Sequence, residues 1–177
     1  WETAECGLVP STRSSVCGLE NEERRLCSAM SQLVEERRSI ARRSDLKGSE
    51  RRALLSDATD SWLRGLLTDA IAQHGADPTQ FALLAVGGYG RREMSLGSDI
   101  DVVLVHEPSA LRVEDVASSL WYPIWDSKIA LDHSVRTIAQ ARTLARDDFK
   151  VVLGLIDARV VAGSTELGES LRTGILG

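Results

Sequence analysis

"AVGGYGRREMSLGSDIDVVLV", residues 85–105, joins two apolar runs through paired glycines, paired arginines and two aspartates set among aliphatic residues. The runs at 81–86 (FALLAV) and 100–105 (IDVVLV) have the length and continuity of buried strands. Between them, YGRREMSLG is long enough for two turns of helix and a loop, so the unit reads as strand, glycine turn, short helix, strand. Residues two apart on a strand share a face, which puts the Asp99 and Asp101 backbones about 7 Å apart with both carboxylates on one side. Alone, D-x-D is the composition of a turn cap and a solvated strand end. A strand gains nothing structurally from two adjacent like charges, whereas a divalent cation converts their repulsion into shared ligation. Hard carboxylate oxygens select Mg2+ or Mn2+ over zinc.

The glycine pair gives the aspartates a context. Gly87 and Gly88 end a strand and open a helix, where a backbone without side chains allows close approach and free N–H groups can meet phosphate. Two phosphate-binding motifs are excluded by the residues themselves. The P-loop pattern G-x-x-x-x-G-K-[ST] is absent, and Glu93 stands where the dinucleotide fingerprint needs its third glycine after Gly88 and Gly90. A nucleotide held by the glycine turn and by metal ions on Asp99 and Asp101 is the reading left.

Working outward, Trp62, Leu63, Leu66, Leu67, Ala70 and Ile71 recur at helical spacing, with Gly75 and Pro78 as stop signals. The basic run at 35–43, with Arg37, Arg38, Arg42 and Arg43, is interleaved with Glu35 and Glu36 and reads as a solvated helix face without a catalytic role. Downstream, 111–127 is expected to be a helix interrupted near Pro123, and 128–137 contains a third strand. The stretch 138–163 reads as one or two helices ending at Gly163, with Asp157 and Arg159 on a helix, forming ion pairs or helix contacts. The fold class is therefore α/β (α+β), one small mixed sheet framed by N- and C-terminal helices. The expected divisions are an irregular leader at 1–29, a helical extension at 30–75, a core at 76–137 and C-terminal helices at 138–177.

At 177 residues the chain has material for one ordinary domain, and its 43% hydrophobic and 27% charged content is that of a globular protein. No apolar run is long enough to span a membrane. A net charge of -5 argues against broad nucleic-acid binding, which rewards a basic face. Cys6, Cys17 and Cys27 match no zinc pattern and are odd in number, so they read as free thiols in a cytoplasmic protein. No signal or transit peptide is evident.

The pattern G-G-x(9)-S-D-x-D, carried by Gly87, Gly88, Ser98, Asp99 and Asp101, resembles the signature of the polymerase-beta-type nucleotidyltransferase superfamily. With "YPIWDSKIALDHSVRT" and "GLIDARVVAG" in order downstream, the stretch from about Ala58 to Gly163 is similar to the nucleotidyltransferase domain of the bacterial PII uridylyltransferases. The resemblance implies transfer of UMP from UTP, or AMP from ATP, to a tyrosine of a PII nitrogen-signalling protein, with release of pyrophosphate. It implies Gly87 and Gly88 on the triphosphate, Ser98 as an added donor, Arg91 against phosphate charge, and Asp99 and Asp101 on Mg2+. Asp132, on the neighbouring strand, is the candidate third carboxylate. Related acceptors, as in glutamine synthetase adenylyltransferase or a stand-alone enzyme, and a catalytically silent nucleotide-binding module, are the alternatives.

Departures from the family pattern are visible. Arg92 stands where the family commonly has glycine, and Asp132 also replaces a usual glycine. His133 and Arg136 match the family and are expected to be structural. The family's downstream HD hydrolase and ACT regulatory domains have no counterpart in these residues, so an N-terminal piece or a stand-alone relative without glutamine regulation is expected.

Overall fold

The computed structural model describes residues 32–176; the leader at 1–29 and the three cysteines lie outside the described residues. Helix α1 covers residues 32–42, and α2 runs Gly48–His74. At its start the Lys47 N–H donates to the Glu50 carboxylate at 2.8 Å. At its end Gly75 adopts the left-handed conformation, φ 60°, and closes the last turn through its N–H. A single 3-10 turn, Pro78–Gln80, leads into β1, Phe81–Ala85. The four-residue helix α3, Gly87–Gly90, follows, then β2, Ile100–His106. The remaining elements are α4 (Val113–Asp126), β3 (Leu131–Arg136), α5 (Ile138–Asp147), α6 (Phe149–Ile156), β4 (Arg159–Gly163) and α7 (Thr165–Leu176).

The sheet is mixed, with strand order β3-β2-β1-β4. Strand β1 runs antiparallel to both β2 and β4, whereas β2 and β3 are parallel. Alternation along β2 divides the core. Ile100, Val102 and Leu104 join Leu63, Leu67, Leu120 and Ile124 beneath α2 and α4. Val103 and Val105 join Ala141, Leu155, Leu167 and Leu171 beneath α5, α6 and α7. The sheet is thus covered on both faces, as the continuous apolar strands require. Among the described residues no helix is long and apolar enough to cross a membrane.

Three expectations are corrected. Residues 159–163 form an edge strand rather than the end of a helix; α6 stops at Ile156, and β-branched Val160 and Val161 carry the chain back alongside β1. Helix α4 continues through Pro123, which sits in the last turn, forfeits one backbone bond and is itself buried. Arg37 is not on a solvated face: it is 3% exposed on the buried side of α1, between Leu33 and Ile40, while Arg38, Arg42 and Arg43 remain exposed.

A buried polar network ties the elements together. Tyr89 of α3 donates its hydroxyl proton to Asp60 of α2 at 2.5 Å. Arg159 of β4 grips both oxygens of the same carboxylate, at 2.6 and 3.1 Å, and donates to the Gly90 carbonyl at 3.3 Å. Its guanidinium lies 5.5 Å from the Tyr89 ring centre. Burial works against the Arg159 charge, yet the bonds to Asp60 hold its pKa above the ordinary value. Asp60 and buried Tyr89 have no other means of satisfying their polar atoms at this depth. Asp60→Ala, which strands Arg159 and the Tyr89 hydroxyl, should cost about 3–5 kcal/mol in urea unfolding; a loss under 1 kcal/mol would show that the network is dispensable.

Candidate active site

The glycine turn is tighter than its sequence suggests. Gly87 and Gly88 lie inside the single turn of α3, not before a longer helix, and the chain leaves at once into the 91–99 loop. Two bonds end the helix: Arg92 N–H donates to the Tyr89 carbonyl at 3.0 Å and Glu93 N–H to the Gly88 carbonyl at 2.9 Å. This pair is the Schellman closure, and it requires a left-handed residue between the helix and its exit. That residue is Arg92, with φ 61°. Glycine suits this backbone position, and an arginine there costs about 1–2 kcal/mol of conformational energy. An ion pair from Arg92 to Asp57 of α2 offsets part of that cost.

Gly87 also has a left-handed backbone, φ 55°, and a Cβ placed on it would lie 3.6 Å from the Asp101 carboxylate. Val86 N–H donates to the Asp101 carbonyl at 3.0 Å, fixing the start of the turn against the acidic strand. Gly90 is required for close approach: a Cβ there would fall 2.3 Å from the Asp157 carbonyl oxygen. Arg91 caps α3 and is drawn sideways to Asp157 at 2.8 Å and Glu93 at 2.9 Å, and both bonds raise its pKa. Asp157 and Arg159 each make an ion pair, as expected, but with partners on other elements. Ser98 uses its hydroxyl within the loop, accepting from the Ser95 N–H at 2.8 Å and meeting the Ser95 hydroxyl at 3.0 Å.

The acidic residues meet across the parallel strand pair. Asp101 is in register with Asp132. Asp99 lies in the loop just before β2, not in the strand itself, close enough for its charge to act on Asp101. Asp99 and Asp132 are exposed and Asp101 is half-buried, so the charges gather at the rim of the sheet next to the glycine turn. Desolvation, then the charge of Asp132, then that of Asp99, raise the Asp101 pKa. Among the described residues no group of three or more His, Cys, Asp or Glu side chains is placed to hold a metal ion. The donor set nevertheless fits a hard divalent cation, since it offers carboxylate oxygens whose mutual repulsion such an ion would relieve.

His133 points to the other face, with ring centroids 4.9 Å from Trp121 and 5.5 Å from Trp125 of α4, which is the structural place expected of it. An apolar depression of about 340 Å3 lies beside α2 and Gly163, at the opposite end of β1 from the glycine turn, and offers no charged group.

Two groups of residues around the site were missed by sequence reasoning. Arg37 and Asp60 each occupy a helical stripe of buried residues, Leu33–Arg37–Ile40 and Asp60–Leu63–Leu67. A charged residue inside an apolar stripe was the available signal. Tyr89, in the centre of the glycine motif, is 1% exposed and supports the turn from beneath.

The raised Asp101 pKa has a definite consequence. The folded state binds this proton more tightly than the unfolded chain, so the group favours folding at low pH and opposes it as pH rises through the folded pKa. Without divalent cations, Asp101→Asn should stabilise the chain at pH 7 by a few tenths of a kcal/mol, the scale of exposed charge pairs. In urea unfolding the advantage should shrink as pH falls toward the ordinary aspartate range, about 3.9; a gain that grows on acidification would contradict the assignment.

With this geometry in view, the comparisons with known proteins agree. Residues 29–122 match the family described as "Putative nucleotidyltransferase DUF294". A bifunctional uridylyltransferase/uridylyl-removing enzyme of Streptomyces coelicolor is 50% identical over 130 residues, covering 73% of this chain and 15% of that protein. Its namesake in Mycobacterium tuberculosis is 40% identical over 142 residues, covering 77% of this chain and 18% of the relative. The chain therefore spans less than a fifth of the length of these curated relatives. On the family match over more than half of its length, the chain belongs to the DUF294 nucleotidyltransferase family.

Proposed function

We propose that this domain transfers a nucleoside monophosphate from UTP or ATP to a tyrosine hydroxyl of a PII-type signalling protein, with Mg2+ as cofactor and pyrophosphate as leaving group. The observation that supports this reading is the register pairing of Asp101 with Asp132, with Asp99 near enough for its charge to act on Asp101, beside a glycine turn whose Gly87 abuts Asp101. The names of the relatives, uridylyltransferase/uridylyl-removing enzyme, favour UTP as the donor.

In this reading Asp99 and Asp101 hold Mg2+, or Mn2+ in its place, and Asp132 is the third carboxylate, placed to accept the proton of the attacking hydroxyl. Bound there, the cation would neutralise triphosphate charge and stabilise the developing charge on the transferred phosphorus. Gly87 and Gly88 admit the triphosphate to the backbone at the first turn of α3, where the N–H groups have no intrahelical partner. Arg91 lies close enough to serve the same phosphates, its Nη2 being 4.0 Å from where a Gly88 Cβ would stand. Ser98 shapes the loop that delivers Asp99, its hydroxyl oxygen accepting from the Ser95 N–H. Catalysis of this kind is positioning and charge neutralisation, which calls for no covalent nucleophile on the protein.

The test is the intact mass of a purified PII protein incubated with the chain, Mg2+ and either UTP or ATP. Addition of one nucleotide per PII subunit is expected, with a loss of about a hundredfold or more in Asp99→Asn and in Asp101→Asn. Undiminished transfer in both variants would refute the metal assignment, and nucleotide binding without any modification of PII would refute the acceptor.

A further inference from the structure

Arg37 is an expensive residue where it stands. It is 3% exposed, and burial pulls its pKa below the ordinary value, with the Tyr89 hydroxyl acting in the opposite direction. No carboxylate among the described residues lies within ion-pair distance, and its Nε and Nη1 atoms are buried without a hydrogen-bond partner there. A buried cation with two idle nitrogens is a poor way to fill a core position that an unbranched apolar side chain could occupy.

What Arg37 does make is a set of contacts to one loop. Its Nη2 donates to the carbonyl oxygens of Ser95 at 3.2 Å, Leu96 at 3.3 Å and Ser98 at 3.3 Å. The same four-residue loop is closed on itself by the Ser98 N–H to the Ser95 carbonyl at 3.2 Å and by the Ser98 hydroxyl. Three carbonyls turned toward one nitrogen fix the loop's orientation, because without the guanidinium their dipoles would repel one another. Asp99 is the next residue, and Ile100 then enters β2.

We propose that Arg37 is a positioning residue: from helix α1 it clamps the Ser95–Ser98 loop so that Asp99 leaves it on the face of Asp101 and Asp132, and so sets the affinity of the acidic site for a divalent cation. This inference rests on the metal-dependent reading above. It gives α1 a functional part, although no residue of α1 belongs to the acidic cluster.

The experiment is titration of the full 177-residue chain with Mn2+, read as free Mn2+ by electron paramagnetic resonance, without nucleotide or turnover. Arg37→Met should raise the Mn2+ dissociation constant about tenfold or more, the range seen when residues supporting metal ligands are removed. Leu171→Ala, a core change beneath α7, controls for lost stability and should leave the constant within about twofold of wild type. Asp99→Asn separates the two layers of the argument: if it binds Mn2+ as wild type does, the metal reading falls, and this inference with it. If Asp99→Asn loses binding while Arg37→Met retains it, only the positioning role is overturned; an equal loss in Leu171→Ala overturns it too. Should Arg37→Met fail to fold, Arg37→Gln, whose shorter amide stops short of the loop, carries the same expectation and the same refutation.

Discussion

The Asp60 carboxylate is the point on which the arrangement of helices and strands around the glycine turn depends. It receives the Tyr89 hydroxyl and both arms of Arg159, joining α2, α3 and β4 through a group with 6% exposure. A four-residue helix has no stability of its own, since nucleation costs more than one turn of bonds returns. Helix α3 exists because its central side chain is anchored below, its Gly90 carbonyl is held by Arg159, and its exit is locked by the Schellman bonds. The buried charges thus serve to specify one geometry of the turn, a role that apolar packing at the same position would not perform.

The acidic rim is the opposite kind of feature, one that costs stability. The parallel pairing of β2 with β3 sets Asp101 against Asp132, with Asp99 just before β2, and no basic side chain forms an ion pair with any of them among the described residues. Arg91 pairs instead with Asp157 and Glu93. An uncompensated cluster of like charge next to a turn whose Gly87 is left-handed and whose Gly90 leaves no room for a Cβ is where a fold spends stability on function. Arg92 has the same character: a strained left-handed residue at the exit of the turn, tied by Asp57 rather than replaced by glycine.

Much of this could be read from the residues. The apolar run that follows it put Asp101 on a strand, and the interrupted apolar run at 128–137 put Asp132 on another; Asp99, expected on the strand of Asp101, lies just before it. The end of α2 at His74 followed from Gly75. Other features were hidden for definite reasons. Residues 149–163 carry a nearly continuous apolar pattern, in which a helix followed by a strand cannot be told from a longer helix by periodicity. Pro123 marks a break in most contexts, but in a final helical turn packed against the core it costs only one bond. Charge interleaving along the 35–43 run gave a solvated face for three of its four arginines and concealed that Arg37 turns inward.

By itself the sequence determined the chemistry available to this protein: hard carboxylates at strand spacing, a glycine turn before them, and apolar strands that need cover on both faces. These follow from local periodicity and residue type, which operate within a few positions along the chain. Only the tertiary structure decided which distant groups meet. The register that sets Asp132 opposite Asp101, the Asp60–Tyr89–Arg159 network and the reach of Arg37 to the Ser95–Ser98 carbonyls join residues 29 to 99 positions apart. Such contacts are chosen by the packing of whole faces against one another, and no local pattern in the chain encodes their partners.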